Sequence, residues 1–138
     1  MKLFFDSSAL VKRYVEEAGS QNVIDLCSIA DNIIVSIICY PEIISAVCRL
    51  KREGKFTQAQ IVQVKRELSA DLAEANMLGL NEAVIEQAAS LLETNTLKAM
   101  DALHVATALE ASVDLFVSGD DLQLKAAKKS GLKIQKVG

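Results

Sequence analysis

The chain is short of the residues that usually staple, kink or anchor a protein. Its 138 residues include three cysteines, one proline, one histidine and no tryptophan, and aromatics make up 4% of the total. Cys27, Cys39 and Cys48 are odd in number, lie in apolar surroundings and lack CxxC spacing, so neither a disulfide framework nor a cysteine metal site is expected. The scarcity of aromatics argues against a stacking platform for single-stranded nucleic acid. No apolar run approaches the ~20 residues that span a bilayer, and no cleavable leader pattern opens the chain, so a cytoplasmic protein without a membrane partner is expected. A net charge of −3 leaves no general electrostatic footprint for a polynucleotide, and any such contact needs a local basic patch.

What is there is an ordinary globular composition, 51% hydrophobic and 24% charged. A chain of this length buries roughly two thirds of its unfolded surface and can hold one core. No linker, repeat or low-complexity stretch divides it, so residues 1–138 are expected to form a single domain.

Hydrophobic periodicity gives an alternating order of strands and helices. "KLFF", ending at Asp6, reads as a strand, and "SSALVKRYVEE" as a helix behind a serine cap, with Leu10, Val11 and Tyr14 on one face. "SQNVIDLCSIA" reads as an amphipathic helix and "NIIVS" as a strand buried on both faces. Pro41 marks a helix start, with Gly54 closing that helix, and Thr57 caps the next. "NMLGL" is a weak strand. Helices capped by Asn81 and rich in alanine follow, and the chain finishes as strand "LFVS", helix "DDLQLKAAKKSG" and strand "LKIQKV". This is the pattern of an α/β fold, a three-layer α/β/α sandwich whose mainly parallel sheet has about five strands. In such sheets, sites gather outside the carboxyl ends of the strands.

Four acids stand at or near helix starts: Asp6, Glu42, Asp101 and Asp120. Singly, Asp6 and Asp120 read as caps, and Glu42 as an acid at the positive pole of its helix. Asp101 resists that reading. It stands among small apolar residues in "AMDALHVATA", on the face that also carries His104. Asp6 and Asp120 follow apolar strands directly and so project from one rim, which Glu42 also reaches. Carboxylates gathered there repel one another unless a cation lies between them. Hard divalent ions, Mg²⁺ or Mn²⁺, take oxygen ligands and suit phosphoryl chemistry. Ser8 and Ser118 are hydroxyls placed to orient a carboxylate or a bound water, or else to cap and turn the chain. His104 is a support for the metal-binding acids, a substrate contact, or a packed, locally satisfied residue.

The segments "LFFDSSALVKRY", "YPEIISAV", "AMDALHVATALEA" and "LFVSGDD" together resemble the successive motifs of the PIN-domain ribonucleases. The length is similar to that of the VapC-type toxins of toxin–antitoxin pairs. The resemblance implies Mg²⁺- or Mn²⁺-dependent hydrolysis of RNA, with Asp6, Glu42, Asp101 and Asp120 as catalytic and metal-binding acids. It places the supporting hydroxyls at Ser8 and Ser118, with Asp121 as a first-turn acid or outer-shell ligand. It also implies a homodimer and a cognate antitoxin, which residues 42–53 and 57–74 offer apolar positions to meet. RNA contacts are expected from Lys12, Arg13 and His104, with Arg49, Lys51, Arg52 and Lys55 farther from the rim. Two other classes remain open: a receiver-like domain accepting a phosphoryl group on an aspartate, and a non-catalytic RNA- or protein-binding domain.

Overall fold

The computed structural model describes all residues from Met1 to Gly138. Five strands form one sheet: β1 (Lys2–Phe5), β2 (Asn32–Ser36), β3 (Asn76–Leu78), β4 (Leu115–Ser118) and β5 (Ile134–Lys136). They lie in the order β3-β2-β1-β4-β5, and all four pairings are parallel. Receiver domains have the order 2-1-3-4-5 instead, so the receiver-like reading loses its scaffold.

Seven helices supply the crossovers. They are α1 (Ser7–Leu10), α2 (Ser20–Ile29), α3 (Cys39–Arg52), α4 (Gln58–Glu74), α5 (Glu82–Thr94), α6 (Ala99–Glu110) and α7 (Asp121–Lys129). No helix is long and apolar enough to cross a membrane.

Alternation along each strand sends side chains to two cores. Leu3, Phe5, Val35 and Val117 face a layer built from α1 to α4, where Val23, Ile43, Val47 and Leu68 complete the packing. Phe4, Ile34 and Phe116 face α5, α6 and α7, packing with Val84, Leu91, Val105 and Leu124. Phe4 and Phe116 are register partners across β1 and β4, and their rings stack with centroids 5.3 Å apart. Alanines 102, 106 and 108 are fully buried, which lets α6 lie close to the sheet.

The expected caps at Thr57 and Asn81 are present, Thr57 as a capping box with Gln60. Helix α3 begins at Cys39, two residues before Pro41. Proline is tolerated there because first-turn N–H groups have no partner within the helix. One expectation is corrected. The helix over "SSALVKRYVEE" stops at Leu10, passes through a 3₁₀ turn at Val11–Arg13, and is capped by Asp6 rather than by a serine. The segment beyond turns back, with the Glu17 N–H donating to Ser20 Oγ at 2.9 Å. Gly19 follows with φ +92°, and a Cβ there would sit 2.5 Å from Gly138 N. The chain end packs against that turn.

Candidate active site

Successive crossovers leave β1 and β4 in opposite directions, β1 toward β2 and β4 toward β5. Their carboxyl ends therefore diverge into a crevice, the switch point at which α/β sheets bind ligands. Asp6 lies at the end of β1 and Ser118 at the end of β4, with their backbones joined by a bond from Asp6 N–H to Val117 O of 3.2 Å.

Asp6 is fully buried. Its Oδ1 accepts from Ala9 N–H at 2.9 Å and caps α1, while Ser8 Oγ donates to the same carboxylate at 2.8 Å. Ser118 Oγ donates to Oδ2 at 2.7 Å. Each serine also accepts a backbone bond: Ser8 Oγ from Gly119 N–H and Ser118 Oγ from Asp120 N–H, both at 2.9 Å. The two hydroxyls thus relay the position of Asp6 to the peptide groups of Gly119 and Asp120. Gly119 has a steric reason for lacking a side chain, because a Cβ would lie 3.1 Å from Val137 O and 3.5 Å from Ser8 Oγ.

Asp120 caps α7, its Oδ1 accepting from Leu122 N–H at 2.9 Å and from Gln123 N–H at 3.1 Å. Asp101, in the first turn of α6, accepts at Oδ1 from Gln123 Nε2 at 3.0 Å. Gln123 therefore holds both acids, one by its backbone and one by its side chain, and is itself buried. Glu42, in the first turn of α3, accepts from Ser7 Oγ at 2.7 Å and bonds His104 Nε2 at 2.5 Å. His104 is 1% exposed, and its Nδ1 has no partner, as is also true of Gln123 Oε1. Edge-on packing against Phe4 fixes the imidazole further.

These contacts make four elements converge on one acidic rim. Burial pushes the Asp6 carboxyl above its ordinary value, against the opposing pull of His104 and of its hydrogen bonds. Burial also raises Asp101, and the negative fields of Asp120 and Glu42 add to it. Burial would raise Glu42 too, but its bonds to His104 and Ser7 overcome that and hold the carboxyl below its usual value. Carboxylates gathered in one pocket repel one another unless a cation compensates them. The donor set, carboxylates and hydroxyls without thiolate, fits Mg²⁺ or Mn²⁺. No three Asp, Glu, His or Cys groups close around a single point as a direct cage.

Of the other expected residues, Lys12 lies beside the rim, its Cε 3.4 Å from where a Cβ on Gly119 would sit, while Arg13 and Asp121 turn away from it. Lys12, 12% exposed at its side chain, pairs with Glu17 at 3.0 Å. Arg13 Nε donates to Asp71 Oδ2 at 2.9 Å, and Tyr14 OH donates to the same oxygen at 2.6 Å, which turns this cluster toward α4. Asp121 points outward and meets Lys136 of β5 at 2.9 Å. Ser7 and Gln123 were not singled out from sequence. Gln123 had a readable signal, an amide one turn after a helix cap on a face otherwise made of leucine and alanine.

A family model described as PIN domain matches residues 3–129. Ribonuclease VapC45 of Mycobacterium tuberculosis is 29% identical over 107 residues, covering 78% of this chain and 74% of that protein. The crystal structure of M. tuberculosis VapC20, described as a sarcin–ricin loop cleaving toxin, superposes with a TM-score of 0.69 at 16% identity, covering 94% and 95% of the two chains. VapBC-1 from nontypeable Haemophilus influenzae gives 0.69 at 15% identity, covering 99% and 98%. At these identities the structural likenesses show a shared fold. Since the family model spans nearly the whole chain, this protein belongs to the PIN-domain family.

Proposed function

We propose that the chain is a metal-dependent endoribonuclease that hydrolyses RNA phosphodiester bonds and acts as the toxin of a toxin–antitoxin pair. The observation that carries this reading is the gathering of Asp6, Glu42, Asp101 and Asp120 around the β1/β4 switch point, joined through Ser8, Ser118, His104 and Gln123. The likeness to proteins named as VapC ribonucleases supports it.

Asp101, Asp120, Glu42 and Asp6 would hold Mg²⁺ or Mn²⁺. Such ions keep several waters, so carboxylates too far apart for a direct cage still reach one through its hydration shell. The ion would supply a water of lowered pKa and offset the charge growing on the phosphate. The remaining work falls to this chain's own groups. Asp101 and Asp120 are fixed relative to each other by Gln123. Glu42 is held at Oε1 by both Ser7 and His104, which leaves its other oxygen to accept the proton of an attacking water. Asp6 works through Ser8 and Ser118 to hold the Gly119–Asp120 backbone. An antitoxin partner and a homodimer belong to the same proposal.

The test is cleavage of an RNA pool in Mg²⁺ or Mn²⁺ by wild type and by Asp101→Asn. Wild type is expected to cut and the variant to lose turnover while keeping its fold. Equal rates for the two would refute the site.

A further inference from the structure

An acidic rim repels the substrate proposed for it. Asp6, Glu42, Asp101 and Asp120 all lie there, and RNA brings one negative charge per nucleotide. The nearby cations on the first crossover are already engaged: Lys12 with Glu17, and Arg13 with Asp71. Attraction must come from another part of the surface.

The charge of the chain is unevenly divided. Residues 49–67 hold six of the fifteen Lys and Arg but two of the eighteen Asp and Glu, a balance of +4, which leaves −7 for the rest of a chain of net −3. This segment is the tip of the α3–α4 hairpin. Between the two helices runs a groove of about 410 Å³, with Ile44, Cys48 and Ile61 as its floor and Lys51, Arg52 and Lys65 as its walls. No carboxylate lines it. Lys51 Nζ is steadied by Gln58 Oε1 at 2.8 Å, and neither Arg52 nor Lys65 pairs with an acid.

The groove is joined to the acidic rim by one rigid element. Glu42 lies in the first turn of α3 and Lys51 in the last, nine residues on, which at ~1.5 Å per residue is about 14 Å along the axis. The groove positions Ile44, Cys48, Lys51 and Arg52 lie on the side of α3 turned away from Glu42. A strand whose scissile phosphate lies at the rim therefore crosses the helix, ~10–12 Å wide, as well as following it, and reaches the groove after several nucleotides. Two lysines and an arginine offer flexible ammonium groups and a planar guanidinium fork, both suited to phosphate oxygens.

We propose that the α3–α4 groove is the docking surface for the RNA backbone several nucleotides from the cut, held by Lys51, Arg52 and Lys65. This rests on the nuclease reading for its substrate. It accounts for how a chain of net negative charge binds a polyanion, because a concentrated patch steers association even when the total charge opposes it. It also sets a minimum length, since an RNA too short to span rim and groove gains nothing from it.

The experiment is fluorescence anisotropy of an end-labelled single-stranded RNA in EDTA across a salt series, with no turnover. It compares wild type, Arg52→Ala/Lys65→Ala, and a control of equal charge change, Lys128→Ala/Lys133→Ala, at the end of α7 and in the connection from it to β5. Each phosphate contact contributes about 0.7 to the salt slope, so the groove variant should lose about 1.4 in slope and bind about 25-fold more weakly near 0.1 M salt. The control should stay within about twofold of wild type. Melting temperatures confirm that all three are folded. Equal losses in groove variant and control, or no RNA binding by wild type, overturn the proposal. So does an acidic peptide whose binding needs Arg52 and Lys65 when RNA binding does not, since the groove is then a protein site. Binding that depends on the groove without any cleavage in Mn²⁺ supports the groove and refutes the nuclease reading instead.

Discussion

Replacing Gln123 by leucine separates what that residue does for stability from what it does for the site. The side chain is buried and contributes one bond to a carboxylate, Nε2 to Asp101 Oδ1 at 3.0 Å. A hydrogen bond to a charged group is worth ~1.5–3 kcal/mol, and its loss frees Asp101 to rotate. The same side chain buries an Oε1 that bonds nothing, a defect of ~1–3 kcal/mol that leucine removes. The two nearly cancel, and leucine fills a similar volume among Leu124, Ala126 and Ala127. The melting temperature of Gln123→Leu is therefore expected within about 4 °C of wild type, the shift that ~1 kcal/mol gives at this chain length. The site should respond differently. The backbone bond to Asp120 survives the change while Asp101 loses its anchor, so Mn²⁺ affinity and single-turnover RNA cleavage should fall ~10–100-fold, as when a ligand's orienting partner is removed. Calorimetric Mn²⁺ titration reads the first and gel-resolved cleavage the second. If Gln123→Leu binds Mn²⁺ and cuts RNA as wild type does, Asp101 does not depend on its orientation, and the reasoning from Gln123 to the site fails.

Three other expectations follow from the same contacts. Asp101 has a folded pKa raised above its ordinary 3.8, so the stability it contributes is present below that value and is lost as pH rises through the raised one. Without metal, the melting temperature of Asp101→Asn should thus gain on wild type as pH rises from about 4 toward 7, and a gap that shrinks instead would contradict the assignment. Ser118→Ala strands Asp120 N–H and removes one donor from buried Asp6, so chemical denaturation should show a loss of ~1–3 kcal/mol, with Ser118→Thr restoring most of it. The Cys39 thiol is pushed up to about 12, mainly by burial and further by the negative charge of Glu42, so mass spectrometry should find it unmodified after native alkylation at pH 8 and modified after unfolding.

The strands and most helix starts were legible because each is a local pattern. "KLFF", "NIIVS" and "LFVS" are short β-branched or aromatic runs, and Thr57, Asn81 and Asp120 are side chains that satisfy N–H groups two or three residues away. Asp6 and Asp120 stood out for the same reason, since the end of a parallel strand fixes where the following residues project, whereas Asp101 stood out by its small apolar neighbours and Glu42 by its place at a helix start. What sequence did not reveal depends on partners far along the chain. Arg13 looked free until α4 brought Asp71 beside it, and Lys12 until the turn at Gly19 folded Glu17 back. The helix over "SSALVKRYVEE" has the right periodicity but ends at Leu10, where the chain passes into a 3₁₀ turn and then folds back at Gly19. Ser7 and Gln123 were passed over because short polar residues at helix starts resemble caps, and the carboxylates they serve come from α3 and α6.

The central claim is that the acids at the β1/β4 switch point form a site that cuts RNA only with a divalent ion. Its most direct test is the rate of RNA cleavage by wild-type protein as Mn²⁺ is raised from zero in the presence of a chelator. The expected result is no cleavage until free Mn²⁺ appears, then a rise to saturation. Cleavage that persists undiminished in the chelator, or none at any Mn²⁺ concentration, would contradict it.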